Sequence, residues 1–216
     1  MAWQDLLADV LPALDASPWK DRWRLGGGTA LAIQINHRIS YDIDLFFEDV
    51  EGSPLKYFVP YSNPLTAAIC KTCQYPGFYL KLERDDGEID FLRTETFYPD
   101  PVKLYDFNNR RIAIHSPNEI IAKKLIYRPA RLKERDVFDA LATWDAGLLD
   151  VDFFKDSPLF SREVIAFSIK NMVESYEEAC RTMDIQPGFR HLQAVKNLDR
   201  LLDIISGPVK DESPSP

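Results

Sequence analysis

Three consecutive glycines, Gly26-Gly27-Gly28, constrain this chain more than any other feature. They follow a short strand-like run, Trp23-Arg24-Leu25, and precede a stretch over residues 29–36 whose apolar positions Ala30, Leu31, Ile33 and Ile35 predict a helix. Glycine lets the backbone approach a ligand closely. The free N–H groups of the helix that follows offer a seat for an anion such as phosphate. Thr29 adds a hydroxyl at the same point. The chain then returns over residues 41–47 with strict alternation. Ile43, Leu45 and Phe47 take one face, and Asp42, Asp44 and Phe46 the other. The local expectation is strand, glycine turn, helix and return strand.

Asp42 and Asp44 are two apart on that strand, so their carboxylates project side by side. Adjacent anions repel, and a divalent cation between them removes the penalty. Mg2+ suits such oxygen donors and keeps positions open for water and substrate phosphates. The same spacing also describes a solvated polar strand face, and only the neighbouring glycine turn favours the metal. A third acid, Asp90, lies in Glu88-Ile89-Asp90-Phe91. Residues 78–83 and 88–93 flank Asp85-Asp86-Gly87, where Asp-Gly signals a hairpin. Phosphoryl transfer to a hydroxyl uses two metals, or a metal and a base. Asp90 fits either role, and Glu88 on the same face competes for it.

The remainder divides in character near residue 116. Residues 3–14 predict an amphipathic helix, and 102–107 with 111–115 a second hairpin across Asn108-Asn109. Ser116-Pro117-Asn118-Glu119 then reads as a helix start with a capping box. Helices are expected over 117–132, 134–146, 160–183 and 189–206, and 207–216 reads as a disordered tail. The organisation is an α/β lobe over 1–115 and a helical lobe over 116–206.

Composition narrows the class. The formal charge of -8 disfavours broad, non-specific nucleic-acid binding without excluding a local basic site. No apolar run approaches the ~20 residues of a membrane span. The acidic first 16 residues do not read as a signal peptide, so a cytoplasmic location is expected. Cys70, Cys73 and Cys180 are odd in number, which argues against a disulfide framework. Cys70 and Cys73 have CxxC spacing but no accompanying ligand pair, and read as thiols in or beside a strand.

Basic residues gather at Lys123, Lys124, Arg128, Arg131, Lys133 and Arg135. Lys124, Arg128 and Arg131 share a helical face if the helix runs on through Pro129, and could hold a triphosphate or simply face solvent. Asp136 and Asp139 could orient those cations, assist chemistry or cap their helix. His37 reads as a residue that fixes the loop before the acids.

Taken in order, Leu25-Gly26-Gly27-Gly28-Thr29-Ala30-Leu31, His37-Arg38-Ile39-Ser40 and Asp42-Ile43-Asp44-Leu45-Phe46 resemble the AbiEii/AbiGii toxin-type nucleotidyltransferases of the DNA polymerase β-like superfamily. Ile89-Asp90-Phe91 resembles the strand bearing that superfamily's third acid. Residues 116–125 resemble the family's lysine helix, and Arg135-Asp136-Val137-Phe138-Asp139 its later Asp-x-x-Asp motif. The match runs over residues 22–145.

The resemblance implies an α+β fold: a nucleotidyltransferase-fold mixed sheet with flanking helices, then a helical C-terminal lobe. It implies transfer of a nucleoside monophosphate from an NTP to an acceptor hydroxyl. Asp42, Asp44 and Asp90 would hold Mg2+ or Mn2+; Gly27, Gly28, Thr29, Lys124 and Arg128 would bind the nucleotide; Lys124 and Asp136 would join the catalytic set. It further implies a toxin of a type IV toxin–antitoxin or phage-defence system, acting on tRNA and countered by an antitoxin. A protein-modifying transferase that places AMP or UMP on a side chain, and a silent binding module of the same fold, are the alternatives.

Overall fold

The structure is a computed structural model that describes residues 2–206; the expected tail over 207–216 lies outside the described residues. The chain forms two compact units, one running to Ile120 and the other starting at Ile121.

The first unit begins with α1 (Ala2–Asp15), whose Leu6, Leu7, Val10, Ala13 and Leu14 are fully buried. Next come β1 (Trp23–Gly26), α2 (Gly27–Ile35) and β2 (Ile43–Glu48). Asn36 in the left-handed conformation ends α2. Two short helices follow, α3 (Pro54–Tyr57) and α4 (Pro64–Ala67), the latter capped by Asn63, which accepts from the Leu65 and Thr66 N–H groups. Then come β3 (Thr72–Gln74), β4 (Tyr79–Glu83), β5 (Glu88–Thr94), β6 (Val102–Phe107) and β7 (Arg110–His115). Asn108 and Asn109 both take positive φ, which closes the β6–β7 hairpin with the twist that flanking strands need. The helix α5 (Pro117–Tyr127) spans the division between the units.

The strands form one seven-stranded sheet in the order β3-β4-β5-β2-β1-β7-β6. Pairs β2–β5 and β1–β7 are parallel and the rest antiparallel, so the sheet is mixed. The expected alternation on β2 is realised: Ile43, Leu45 and Phe47 are completely buried. With Leu80, Leu82, Ile89 and Phe91 they make one face of the sheet apolar, and Phe58 stacks on Phe91 at 4.7 Å. Each such side chain contributes roughly 1.5–3 kcal/mol by leaving water. Asp42, Asp44, Glu88 and Asp90 are thereby turned to the opposite face. The edge strand β3 carries Cys73 and starts two residues after Cys70, as expected of thiols in or beside a strand; its three exposed residues are too short to set its bounds by alternation.

The second unit contains α6 (Glu134–Asp145), α7 (Val151–Asp156), α8 (Arg162–Lys170), α9 (Tyr176–Arg181) and α10 (Asn197–Ser206). Three expected helices are interrupted. The one predicted over 117–132 ends at Tyr127, because Pro129 bars Arg128 from helical geometry; a 3-10 turn, Pro129–Arg131, follows. Arg131 therefore does not continue the Lys124–Arg128 face. The one predicted over 160–183 breaks at residues 171–175, where the Ser175 hydroxyl donates to Glu134 Oε1 at 2.6 Å and ties the turn to α6. The one predicted over 189–206 begins as a 3-10 segment, Pro187–Gln193, and Asn197 Nδ2 spans to the carbonyls of His191 and Ala194 before α10 starts. Helix α7 is additional, capped by Asp150, which accepts from the Phe153 N–H. Gly147, with φ +69, stops α6. The unit's core holds Phe154, Phe160, Ile165, Ile169 and Tyr176, whose hydroxyl donates to the Leu192 carbonyl.

Candidate active site

Register places the chemistry. Gly26 pairs with Asp44 across β1–β2, Asp44 with Asp90 across β2–β5, and Asp90 with Lys81 across β5–β4. A single row thus crosses four strands as glycine, acid, acid and lysine. Side chains at paired positions stand about 5 Å apart on one face. Asp42 lies two residues before Asp44, on the same face, and its Oδ1 accepts the Glu88 N–H at 3.1 Å. Asp44 and Asp90 are thus neighbours in register with Asp42 on the same face, although among the described residues the three do not bring their ligand atoms within 4.8 Å of one another.

Their proximity is electrostatically costly. Burial, then the charge of Asp44, push the Asp90 carboxyl up to about 7; Glu88 and Asp42 act in the same sense, and Lys81 against it. Asp90 Oδ1 is buried with no hydrogen-bond partner, while Oδ2 lies 3.8 Å from Lys81 Nζ. Lys81 also pairs with Glu88. Burial opposes the charge on Lys81, but the acids around it raise its proton affinity overall. Lys81 is the residue the sequence reading missed. The signal was present: Tyr79, Lys81 and Glu83 alternate on β4, and the hairpin faces Lys81 with Asp90.

The glycine turn meets these acids. Gly27 has φ +62, a region open mainly to glycine, and a Cβ there would collide with Asp44 Oδ2. Both facts place the first turn of α2 against the Asp44 carboxylate. A Cβ on Gly28 would come within 2.5 Å of Arg38 Nη2, so the Arg38 guanidinium packs directly on the turn, with Ser40 Oγ beside it. Thr29 is fully buried and its hydroxyl donates to the Asp42 carbonyl, which fixes the turn to the return strand. His37, fully buried, and Arg38 occupy the connection between α2 and β2.

The donor set fits a hard divalent cation. Three carboxylates share one face, one buried oxygen lacks a partner, and burial followed by the Asp44 charge raises the proton affinity of Asp90. Cys70 and Cys73 join no cluster of potential metal ligands among the described residues.

In the helical unit, Lys124 is almost wholly buried and donates to Asp136 Oδ1 and Asp139 Oδ2, each at 2.7 Å. Asp136 Oδ2 accepts the Lys133 N–H at 3.1 Å, capping α6, and lies 3.6 Å from Arg128 Nε. Burial would raise the Asp136 carboxyl, but Lys124 and Arg128 outweigh it and hold the group below the usual carboxylate range. Of the roles open to Asp136 and Asp139, orienting the cations and capping the helix are both present. Arg128 is half-exposed beside them.

A strand, glycine turn, helix and acid-bearing return strand, with a third acid in register on the next parallel strand, define a nucleotidyltransferase core. The chain belongs to the AbiEii nucleotidyltransferase family: the family model described as "Nucleotidyl transferase AbiEii toxin, Type IV TA system" matches residues 9–156. The enzyme accordingly acts by nucleoside monophosphate transfer. Among solved structures, the chain is similar to an antigenic nucleotidyltransferase-like protein from Paracoccidioides brasiliensis, at 15% identity over 88% of this chain and 97% of that one, with a TM-score of 0.48. It is also similar to the Bradyrhizobium diazoefficiens CD-NTase CdnG in complex with GTP, at 14% identity over 85% of this chain and 60% of that one, with a TM-score of 0.31. A search of curated proteins returns no match. Among the described residues, no helix is long and apolar enough to cross a membrane.

Proposed function

We propose that the protein is a Mg2+-dependent toxin of a type IV toxin–antitoxin or phage-defence system that transfers a nucleoside monophosphate from an NTP to a hydroxyl of tRNA in the cytoplasm. The observation that carries this reading is the in-register row of Asp44 and Asp90 beside the Gly27 turn. Asp42, Asp44 and Asp90 would hold Mg2+ or Mn2+, which when bound neutralises phosphate charge and favours attack at the α-phosphorus. The N-terminus of α2, opened by Gly27 and Gly28, directs backbone N–H groups toward phosphate oxygens. Thr29 serves this cradle by holding it to the Asp42 carbonyl. Arg38, packed on Gly28, places a guanidinium at the same turn.

In the reaction, the acceptor oxygen bonds to the α-phosphorus, the bond to the β-phosphate oxygen breaks, and pyrophosphate leaves with that electron pair. The acceptor's proton must be removed, and Asp90 is the carboxylate in register to receive it where Asp42 and Asp44 alone hold the ion. Lys124, Arg128 and Asp136 remain assigned to nucleotide binding and catalysis by family resemblance.

A protein acceptor is the second reading, favoured by the net charge of -8, which disfavours broad binding to RNA phosphate. One experiment separates them. The purified protein is incubated with each labelled NTP, Mg2+, total tRNA and cell extract, and label is followed into RNA and protein fractions. Label in tRNA, lost with Asp44→Ala, is the expected result. Label in protein alone selects the second reading, and no labelled product with any NTP overturns both.

A further inference from the structure

The sheet carries a second set of potential metal ligands that the nucleotidyl chemistry leaves unused. Glu48 ends β2, His115 ends β7 and Glu119 lies in the first turn of α5. One ligand atom from each falls within 4.8 Å of the others. Glu48 is four residues beyond Asp44 on β2, about 13 Å along an extended strand, so this group is separate from the acidic row.

His115 is the informative member. Its side chain is 0% exposed, yet neither ring nitrogen makes a hydrogen bond. Nε2 stands 3.0 Å from Glu48 Oε1, but the approach is out of line for an N–H donor. Burying an imidazole with both nitrogens unsatisfied is costly unless something else engages them. The ring is held firmly in this place. Phe46 packs against it at 4.7 Å, and a Cβ on Gly26 would come within 2.6 Å of Nδ1, so the first glycine of the turn admits the histidine.

Glu119 is also diverted. The capping box read from the sequence would send its carboxylate back to the Ser116 N–H. That N–H instead donates to the Pro101 carbonyl at 2.7 Å. The Glu119 carboxylate accepts the Phe97 and Tyr98 N–H groups and is oriented by them.

We propose that Glu48, His115 and Glu119 bind a divalent transition-metal ion, Zn2+ by their donor types. Nitrogen and oxygen ligands 2.0–2.1 Å from a tetrahedral Zn2+ stand about 3.3 Å apart, close to the separation of Nε2 and Oε1. An imidazole nitrogen among the donors selects against Mg2+, which takes oxygen. Backbone N–H bonds that orient a ligating carboxylate are the outer support such sites use. Glu48, alone of the three, also lines a cavity of about 330 Å³ with Arg22, Arg24, Asp49 and Thr96, so one donor borders space that could hold a water ligand. The ion ties the ends of β2 and β7 to the start of α5.

The test uses full-length protein stripped with chelator and carrying Asp44→Asn, so that the acidic row does not compete. Zn2+ and Mg2+ are titrated separately by calorimetry, with Tm followed in parallel. Binding of one equivalent of Zn2+ with a rise in Tm is expected, and excess Mg2+ leaves it in place. Glu48→Gln and His115→Asn, each checked for folding by circular dichroism, should weaken Zn2+ at least about tenfold. Co2+ in place of Zn2+ should give visible ligand-field absorption that His115→Asn abolishes. If His115→Asn does not fold, Glu48→Gln decides. Undiminished Zn2+ affinity in the folded variants, or no Zn2+ uptake by the parent, overturns the site and leaves the cluster a buried histidine–carboxylate group.

Discussion

Asp44 on β2 and Asp90 on β5 occupy paired positions on adjacent parallel strands, so two carboxylates stand side by side with no strand between them. The backbone register fixes their Cα positions as neighbours. The fold therefore maintains a concentration of negative charge that a bound cation relieves.

The pH dependence of stability follows. Folding raises the Asp90 carboxyl from 3.8 to about 7, through burial and then Asp44. The folded state thus binds a proton more tightly than the unfolded chain. Metal-free stability falls as pH rises from about 4 to about 7 and levels off above that. A three-unit shift sets an upper bound of about 4 kcal/mol. Urea denaturation in chelator should show Asp90→Asn more stable than wild type at pH 8, by about 2–4 kcal/mol, with the difference closing by pH 4. Mg2+ at pH 8 should stabilise wild type and not the variant. Equal pH slopes would contradict the assignment.

Lys81 is the counter-charge to this row, 3.8 Å from Asp90 and paired with Glu88. Lys81→Met should move Asp90 above its present value of about 7 by about one further unit. Carboxyl NMR titration reads this directly. Above that pH the variant should bind Mg2+ more tightly by calorimetry, because a competing cation has gone. Weaker Mg2+ binding would mean that Lys81 shapes the site by packing rather than by charge.

Gly27→Ala tests the glycine turn. Its φ of +62 costs a non-glycine residue about 1–2 kcal/mol, and the new Cβ collides with Asp44 Oδ2. A modest fall in Tm should therefore accompany a much larger loss of transfer activity, of about 100-fold. Gly147→Ala, also at positive φ but with open space for a Cβ, should lower Tm similarly and leave activity intact.

The face that carries the acids was legible because it rests on local rules. Alternation over Asp42-Ile43-Asp44 set which side the acids take, and Asp-Gly placed the β4–β5 hairpin that carries Asp90. The pairing of Asp44 with Asp90 is non-local; no period in the sequence states that β2 lies beside β5. Lys81 lay within reach of the same local hairpin, which faces it with Asp90, but alternation on β4 alone did not mark it as part of the acidic row. In the helical unit, long periodic stretches concealed breaks made by single side chains. Pro129 was visible as a breaker, whereas the bond from Ser175 to Glu134 was not. Glu119 satisfied a capping pattern, yet the N–H groups of Phe97 and Tyr98 took its carboxylate.

Lys124 allows its structural and chemical roles to be separated. It is buried between Asp136 and Asp139, at 2.7 Å from each. Lys124→Met strands two buried carboxylates and should cost about 3–5 kcal/mol, measured by urea denaturation. Adding Asp136→Asn and Asp139→Asn removes the stranded charges, and the triple variant should regain most of that stability. The Asn at 136 retains a side-chain oxygen for the Lys133 N–H, so the cap on α6 is largely kept. Because Asp136 is itself assigned to the site, nucleotide transfer by the triple variant is compared with that of Asp136→Asn/Asp139→Asn retaining Lys124, and the difference isolates the ammonium. If Lys124 supplies charge to the reaction, activity stays at least about 100-fold down despite restored stability. Activity that returns together with stability would assign Lys124 to scaffolding alone, because an uncharged side chain in an intact fold could not replace a contact with phosphate.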